Sequence, residues 1–250
     1  ASYPFKTTSD TEVILAAYQA WGADAFARFR GMFAIALYDI HKHELMLARD
    51  RLGKKPLYWS LAGDTLVFGS ELKALLAHPA TSRTIDHRSL AHYLTREYVP
   101  TPRTIYKDVH KLPPGTVLRF KDGVAQIKPF WNPSVEIAAI DEASALAHFD
   151  ELLQHATSER MVSDVPLGVL LSGGIDSSTI AYYAAKASSK KIQTFSIGFS
   201  EKSFDESAQA RLVAKHLGTE HHEQIFSGAD ALALVQDIPE VFDEPVADAS

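Results

Sequence analysis

The sequence predicts a two-part chain of α/β and α+β class. Antiparallel β layers with helices come first, and a parallel-sheet α/β part follows. Three observations predict this. Residues 1–132 carry short apolar runs separated by turn signals. Residues 141–250 alternate strand-like with helix-like segments. Asn132-Pro133-Ser134 opens the one plausible linker, placed at 133–140. The expected domains are therefore 1–132 and 141–250.

In the first part, Ser9-Asp10-Thr11-Glu12 opens a helix, with Ser9 or Asp10 as its cap. Val13, Ile14, Ala17, Tyr18 and Trp21 recur at helical spacing, and Gly22 is a stop signal. The run 31–40 has strand length, and 44–49 and 56–60 continue the β pattern. Ala62-Gly63-Asp64 turns the chain into a return strand over 65–69. Short helices are expected over 71–76 and 89–97. Lys121-Asp122-Gly123, between 116–120 and 124–127, is a hairpin signal.

In the second part, an amphipathic helix is expected over 142–162, with Leu146, Phe149, Leu153 and Ala156 on one face. Then come strand 165–171, helix 179–187, strand 191–199, helix 205–217, strand 221–226 and helix 229–242. Strands alternating with helices imply a parallel sheet, whose ligands sit at the carboxyl ends of its strands. A sheet of so few strands is expected to show open edges and apolar faces.

Composition excludes several classes. Hydrophobic residues make up 46% and charged residues 22%, an ordinary globular balance. A net charge of −6 provides no whole-chain basic field, so no nucleic-acid partner is expected. There is no cysteine, which rules out disulfides and thiolate metal sites and is compatible with a cytoplasmic location. No long apolar span suggests a membrane segment.

The chemistry concentrates at Ser172-Gly173-Gly174-Ile175-Asp176-Ser177-Ser178, between an apolar strand and a helix start. Glycines let backbone approach a phosphate, and the free amides of the next helix then face it. Three serines add hydroxyl donors. The common P-loop is excluded, since no GxxxxGK[ST] is present, and so is a nucleophile elbow, since GxSxG is absent. The plainer alternative is a β–α turn rich in small residues, although packing alone rarely gives this order.

The pattern resembles the PP-loop of the ATP pyrophosphatase family, whose members cut ATP between its α and β phosphates and adenylate a substrate. The resemblance implies that the loop holds pyrophosphate, with Asp176 near Mg2+. Further marks run along the chain: Ser9-Asp10-Thr11-Glu12, Gly31-Met32-Phe33-Ala34, Arg49-Asp50-Arg51-Leu52-Gly53 with Lys55-Pro56-Leu57-Tyr58, Ser70-Glu71-Leu72-Lys73, and Lys111-Leu112-Pro113-Pro114-Gly115. With these, the whole is similar to the glutamine-hydrolysing asparagine synthetases of bacterial B type. That family joins an N-terminal-nucleophile glutaminase domain to a PP-loop synthetase domain.

The resemblance implies a reaction and its residues. ATP would activate the aspartate β-carboxylate as β-aspartyl-AMP, and ammonia from glutamine would attack it. Asp10 would bind the amino group of glutamine, with a helix cap as its plainer role. Leu170, Ser172, Gly173, Gly174, Asp176, Ser177 and Ser178 would line the ATP site. Ile197 would lie beside the adenine, unless it is only a buried strand residue. The expected cofactors are ATP and Mg2+, and the expected partners are the small molecules glutamine, aspartate and ATP. A homodimer is left open. Relatives acting on another carboxylate, of surface-polysaccharide or β-lactam type, share the loop, and a non-catalytic nucleotide-binding role is the contrasting option.

The chain departs from the family where the glutaminase nucleophile should be. A leading cysteine is expected, with its own α-amine as base, but Ala1 comes first and no cysteine follows. The Asn-Gly-Glu stretch before Asp10 and the later SGxGxDE motif are not found either. The expectation is therefore the middle of a longer protein, with no glutaminase catalytic residue and little ATP turnover of its own. A natural pseudo-glutaminase using free ammonia would not explain the missing later motif. Elsewhere, His41, His43, His221 and His222 lack the partners of a metal site, and the basic cluster 49–55 is expected to be structural. Asp205-Glu206, after Phe204, could cap a helix or lie near nucleotide. Asp243-Glu244-Pro245 resembles a family segment near the substrate cleft.

Overall fold

The computed structural model describes residues 3–137, 139–201 and 205–247. They fall into two compact units: Ala1–Val135 together with Pro239–Ser250, and Glu136–Ile238.

The first unit opens with α1 (Asp10–Trp21), followed by a 3-10 stretch, Gly22–Arg28, that the sequence did not signal. Next come β1 (Ala34–Asp39), β2 (Glu44–Arg49), β3 (Tyr58–Ala62), β4 (Thr65–Gly69), α2 (Leu72–Leu76) and α3 (His87–Arg96). The chain continues through β5 (His110–Lys111), β6 (Thr116–Lys121) and β7 (Val124–Pro129). Two antiparallel sheets result, ordered β1-β2-β6-β7 and β4-β3-β5.

Strand alternation assigns each side chain to a layer. Ile35, Leu37, Met46, Ala48 and Val117 face α1 and the 3-10 stretch, where Ile14, Tyr18 and Phe26 meet them. Leu47 and Leu118 point the other way, onto Leu57, just before β3, and onto Trp59 and Leu66 of the second sheet. That sheet's outer face carries Tyr58 and Val67 against Leu72 and Leu75 of α2. The unit is therefore layered helix, sheet, sheet, helix. Asp122 and Gly123, with φ of 50° and 76°, build the tight turn between β6 and β7 that the sequence signalled.

The β1–β2 turn is fastened by Asp39. Its carboxylate accepts from the amides of His41 and Lys42, each at 3.0 Å, and from the Tyr18 hydroxyl at 2.8 Å. Lys42 lies 3.1 Å from the same carboxylate. The Tyr18 hydroxyl, then the Lys42 amide, hold the carboxyl well below its ordinary 3.8. A depressed value stabilises the fold above the ordinary pKa, and that contribution fades as pH falls below it. Asp39→Asn is therefore expected to lower the urea midpoint at pH 7, with the gap to the parent narrowing by pH 3. A gap that stays constant with pH would refute the ionic part of this fastening.

The second unit runs α4 (Glu142–Glu159), β8 (Gly168–Leu170), α5 (Ile175–Ala187), β9 (Gln193–Phe199), α6 (Ser207–Leu217), β10 (Glu220–Phe226) and α7 (Gly228–Leu234). Its sheet is parallel, in the order β10-β9-β8. A further turn of helix, α8 (Ile238–Val241), crosses the boundary between the units. The single helix expected over 229–242 is thus two, because proline at 239 lacks the amide a continuous helix needs. The expected strand 165–171 forms ladder over only three residues.

α4 packs on α5, where the Tyr183 hydroxyl donates to Asp150. Of the four residues expected on one face, Leu146 and Phe149 are 61% and 58% exposed, while Leu153 and Ala156 are half-buried. Burial along this face rises toward the end of the helix, where Thr157 is buried. Among the described residues the sheet is covered on one side only. Thr194 and Ser196 are buried, while Phe195, Ile197 and Phe199 lie on an open face. No described helix is long and apolar enough to cross a membrane.

Candidate functional site

The loop after β8 is built by packing before any ligand is considered. Leu171 is buried, and its amide donates to the Phe195 carbonyl at 2.8 Å, which pins the end of β8 against β9. The chain then turns through Ser172-Gly173-Gly174 into α5. Gly174 occupies the cap position and no side chain caps it, so the first amides of α5 are left for another acceptor. The Ser172 and Ser177 hydroxyls lie 3.0 Å apart, and Ser177 Oγ also accepts from the Ser172 amide at 3.2 Å. Asp176 is in the first turn of α5, with its side chain exposed.

The two glycines differ. Gly173 has φ +85°, and a Cβ there would lie 2.6 Å from Gln209 Cβ and 2.7 Å from the Ala210 amide nitrogen. It is glycine because α6 presses on it. Gly174 has φ −70°, and a Cβ there would meet only Ser172 Oγ, at 3.4 Å. Open space at Gly174 is what close approach of an anion to backbone requires. Ser178 follows in the first turn of α5. Its hydroxyl is buried without a protein partner, and the residue borders a groove of about 500 Å³ between α5 and α6.

Leu170 and Ile197 share the open face of the sheet: Leu170 pairs with Phe195 in register, and Ile197 is two residues further toward the carboxyl end. Ile197 is 61% exposed, so core packing does not account for it. Asp205 is taken up locally. Its carboxylate accepts from the Phe199 amide at 3.3 Å and from the Ser207 amide and hydroxyl, each at 3.1 Å. The Ser207 hydroxyl, then the Ser207 amide, lower its pKa. It closes the start of α6; Phe204 lies outside the described residues.

In the first unit, Ser9 caps α1, accepting from the Thr11 amide at 3.2 Å. Capping therefore does not account for Asp10, whose carboxylate is exposed and meets the Thr11 hydroxyl at 3.4 Å. Glu12 folds residues 6 and 7 onto the helix, accepting from both amides and from the Thr7 hydroxyl at 2.6–2.8 Å.

Within the basic cluster the two arginines turn inward, and Arg51 donates to the Ala27 carbonyl at 2.9 Å. Arg49 donates to the carbonyls of Lys55, Leu112 and Gly53 at 2.8–2.9 Å. Asp50 accepts four backbone amides: Leu52 and Lys54 on one oxygen, Phe33 and Lys55 on the other. The Gly115 amide donates to the Asp50 carbonyl at 2.9 Å, and the Gly115 carbonyl receives Phe130 and Trp131. The marks at 49–53 and 111–115 are thus one knot of backbone bonds.

Two histidines contact β9. His221 bonds Thr194 and Ser196, and His222 stacks on Phe195 at 4.9 Å. Among the described residues no group of three or more histidine or acidic side chains could hold a metal alone.

A layered antiparallel unit is followed by a parallel-sheet unit whose first strand leads through a glycine turn into a helix, and comparison with known families finds two matches in the same order. Residues 1–131 match the glutamine amidotransferase domain, and the chain belongs to that family. Residues 148–250 match the asparagine synthase family. The similarity extends to glutamine-hydrolysing asparagine synthetases. A putative enzyme of that name from Mycobacterium tuberculosis is 36% identical over 252 residues, covering 98% of this chain and 38% of its own. Asparagine synthetase [glutamine-hydrolyzing] 1 of Bacillus subtilis is 34% identical, covering 98% of this chain and 39% of its own. Asparagine synthetase B of Escherichia coli is 32% identical, covering 94% and 40%. The chain thus spans about two fifths of the length of these relatives.

Proposed function

We propose that the chain supplies the amidotransferase scaffold and the nucleotide loop of an ATP-dependent amide ligase that makes asparagine from aspartate, with glutamine as nitrogen donor. One observation carries the reading: the amidotransferase match and the asparagine synthase match follow one another on one chain, in the order of the named relatives. The functional division is 1–132, a linker over 133–140, and 141–250. The route passes through β-aspartyl-AMP.

Asp10 receives the α-amino group of glutamine, since its carboxylate is exposed and Ser9 does the capping. Gly174, the free amides of α5 and the hydroxyls of Ser172 and Ser177 cradle pyrophosphate. Leu170 and Ile197 offer apolar surface to the adenine, while Gly173 and Ser178 support the loop from behind. Asp176 provides one carboxylate for Mg2+, whose remaining ligands would be phosphate and water oxygens. Bound there, Mg·ATP supplies an activated phosphoryl bond with pyrophosphate as leaving group. The loop's own contribution is a preorganised set of donors where that charge gathers.

Hydrogen exchange tests the loop. Mg·ATP and Mg·pyrophosphate are expected to slow exchange of the 172–178 amides, whereas AMP, which lacks the β and γ phosphates, leaves them unchanged. Equal protection by AMP, or none by any of the three, would overturn the reading.

A further inference from the structure

The Asp243-Glu244-Pro245 segment follows the second unit in sequence yet packs within the first. Its contacts are specific. Asp243 Oδ2 accepts from the Leu72 amide at 2.6 Å, and Lys73 lies 3.9 Å from its other oxygen. Lys73 also donates to the Glu240 carbonyl at 3.1 Å. Glu244 accepts from the Ile105 amide at 3.2 Å and pairs with Lys111, whose ammonium also donates to the Val99 carbonyl at 2.6 Å. The Ala247 amide donates to the Glu97 carbonyl at 2.9 Å.

Two of these bonds satisfy groups at helix ends. Leu72 is the first residue of α2, so its amide has no acceptor within the helix, and Glu71 at the cap supplies none. Glu97 ends α3 in the left-handed region, with φ 66°. The segment therefore finishes α2, the end of α3 and the 99–105 loop together. The side chains of Asp243, Glu244 and Lys111 are each only 14% exposed. Burial pushes the Glu244 carboxyl up, against the pull of Lys111. Tyr58 is pushed up to about 12, by burial first and then by Glu244 and Asp243.

We infer that Asp243 and Glu244 are latch residues: they fasten residues 240–247 onto the amidotransferase unit and are not ligands for substrate or metal. Their oxygens are already committed to Leu72, Ile105 and Lys111. The chain passes between the units at 135/136 and again at 238/239.

Hydrogen exchange of the full 250-residue chain tests this. The amides of Leu72, Ile105 and Ala247 report the latch directly, and those of Leu47 and Leu118 report the intact core. Glu244→Gln is expected to speed exchange at all three latch amides by roughly tenfold or more, because the segment lifts as a unit, with the core unchanged. Asp243→Asn is expected to do the same. A change confined to Ile105 would reduce the latch to one local bond and overturn the inference. So would three unchanged amides with altered Mg·ATP protection of the 172–178 loop. If either variant also loosens the core, Ala247→Pro decides, since it deletes one donor and leaves both carboxylates intact. Faster exchange at Leu72 and Ile105 then supports the latch, and unchanged exchange rejects it.

Discussion

Asp50→Ala is expected to cost the first unit about 4 kcal/mol. The side chain is 1% exposed and accepts four backbone amides at 2.9–3.3 Å. Each buried amide left without an acceptor costs about 1–3 kcal/mol, and water would recover part of that total. Domains are stable by only about 5–15 kcal/mol, so such a loss consumes much of the margin. Burial alone would raise the Asp50 pKa; the amides of Lys55, Lys54, Phe33 and Leu52 outweigh it and hold the value low. The carboxylate thus stays ionised in mild acid, and its contribution fades only as pH falls past the ordinary carboxylate range. Asp50→Asn keeps one oxygen for two of the four amides and turns an amide group toward the other two. Its loss is expected to be smaller than that of alanine but still clear. Urea unfolding followed by tryptophan fluorescence measures both. An alanine variant within about 1 kcal/mol of the parent would show that water replaces the carboxylate, and the knot would lose its central place.

The consequence extends beyond Asp50 because the same turn carries its neighbours. Arg49 holds the carbonyls of Gly53 and Leu112, and Gly115 joins Asp50 to Trp131. A Cβ on Gly115, at φ +64°, would lie 2.7 Å from the Trp131 carbonyl oxygen. The two arginines here serve carbonyls inside the unit: Arg49 those of Gly53, Lys55 and Leu112, and Arg51 that of Ala27.

Much of this was legible in the sequence wherever the signal is local. Lys121-Asp122-Gly123 announced its turn because positive φ needs those residues, and the strand expected over 65–69 is β4. The alternation after residue 141 gave the parallel sheet, because only crossovers can join such strands. What was hidden depends on distant partners. Asp243 meets an amide 171 positions earlier, and no periodicity or motif records that. The helix pattern of α4 showed which residues share a face but not that only its later part, around Leu153 to Thr157, becomes covered. At Asp10 the sequence left capping and ligand binding open, and Ser9 took the cap. The loop itself was plain, but the separate duties of its two glycines were not, because glycine in a sequence does not reveal what its missing side chain makes room for.

Those duties separate in one experiment. Gly173→Ala places a methyl group 2.6 Å from Gln209 Cβ and requires a side chain at φ +85°. α6 would have to retreat from α5, and the strain at positive φ adds about 1–3 kcal/mol. The second unit is expected to lose cooperative unfolding or to drop sharply in midpoint, whatever ligand is present. Gly174→Ala has ordinary φ and no contact closer than 3.4 Å, so the fold should hold. Its methyl group would instead occupy the space beside the first amides of α5, where a phosphate must come. Parent-like circular dichroism and melting, with Mg·pyrophosphate affinity weakened at least roughly tenfold, is the expected result; a tenfold change is about 1.4 kcal/mol. Unchanged affinity in Gly174→Ala would move the anion away from this turn. Tolerance of Gly173→Ala would mean that α6 does not depend on a glycine beneath it. Loss of fold in one variant and loss of binding in the other would show that adjacent glycines of one motif answer to different masters, one to a neighbouring helix and one to the ligand.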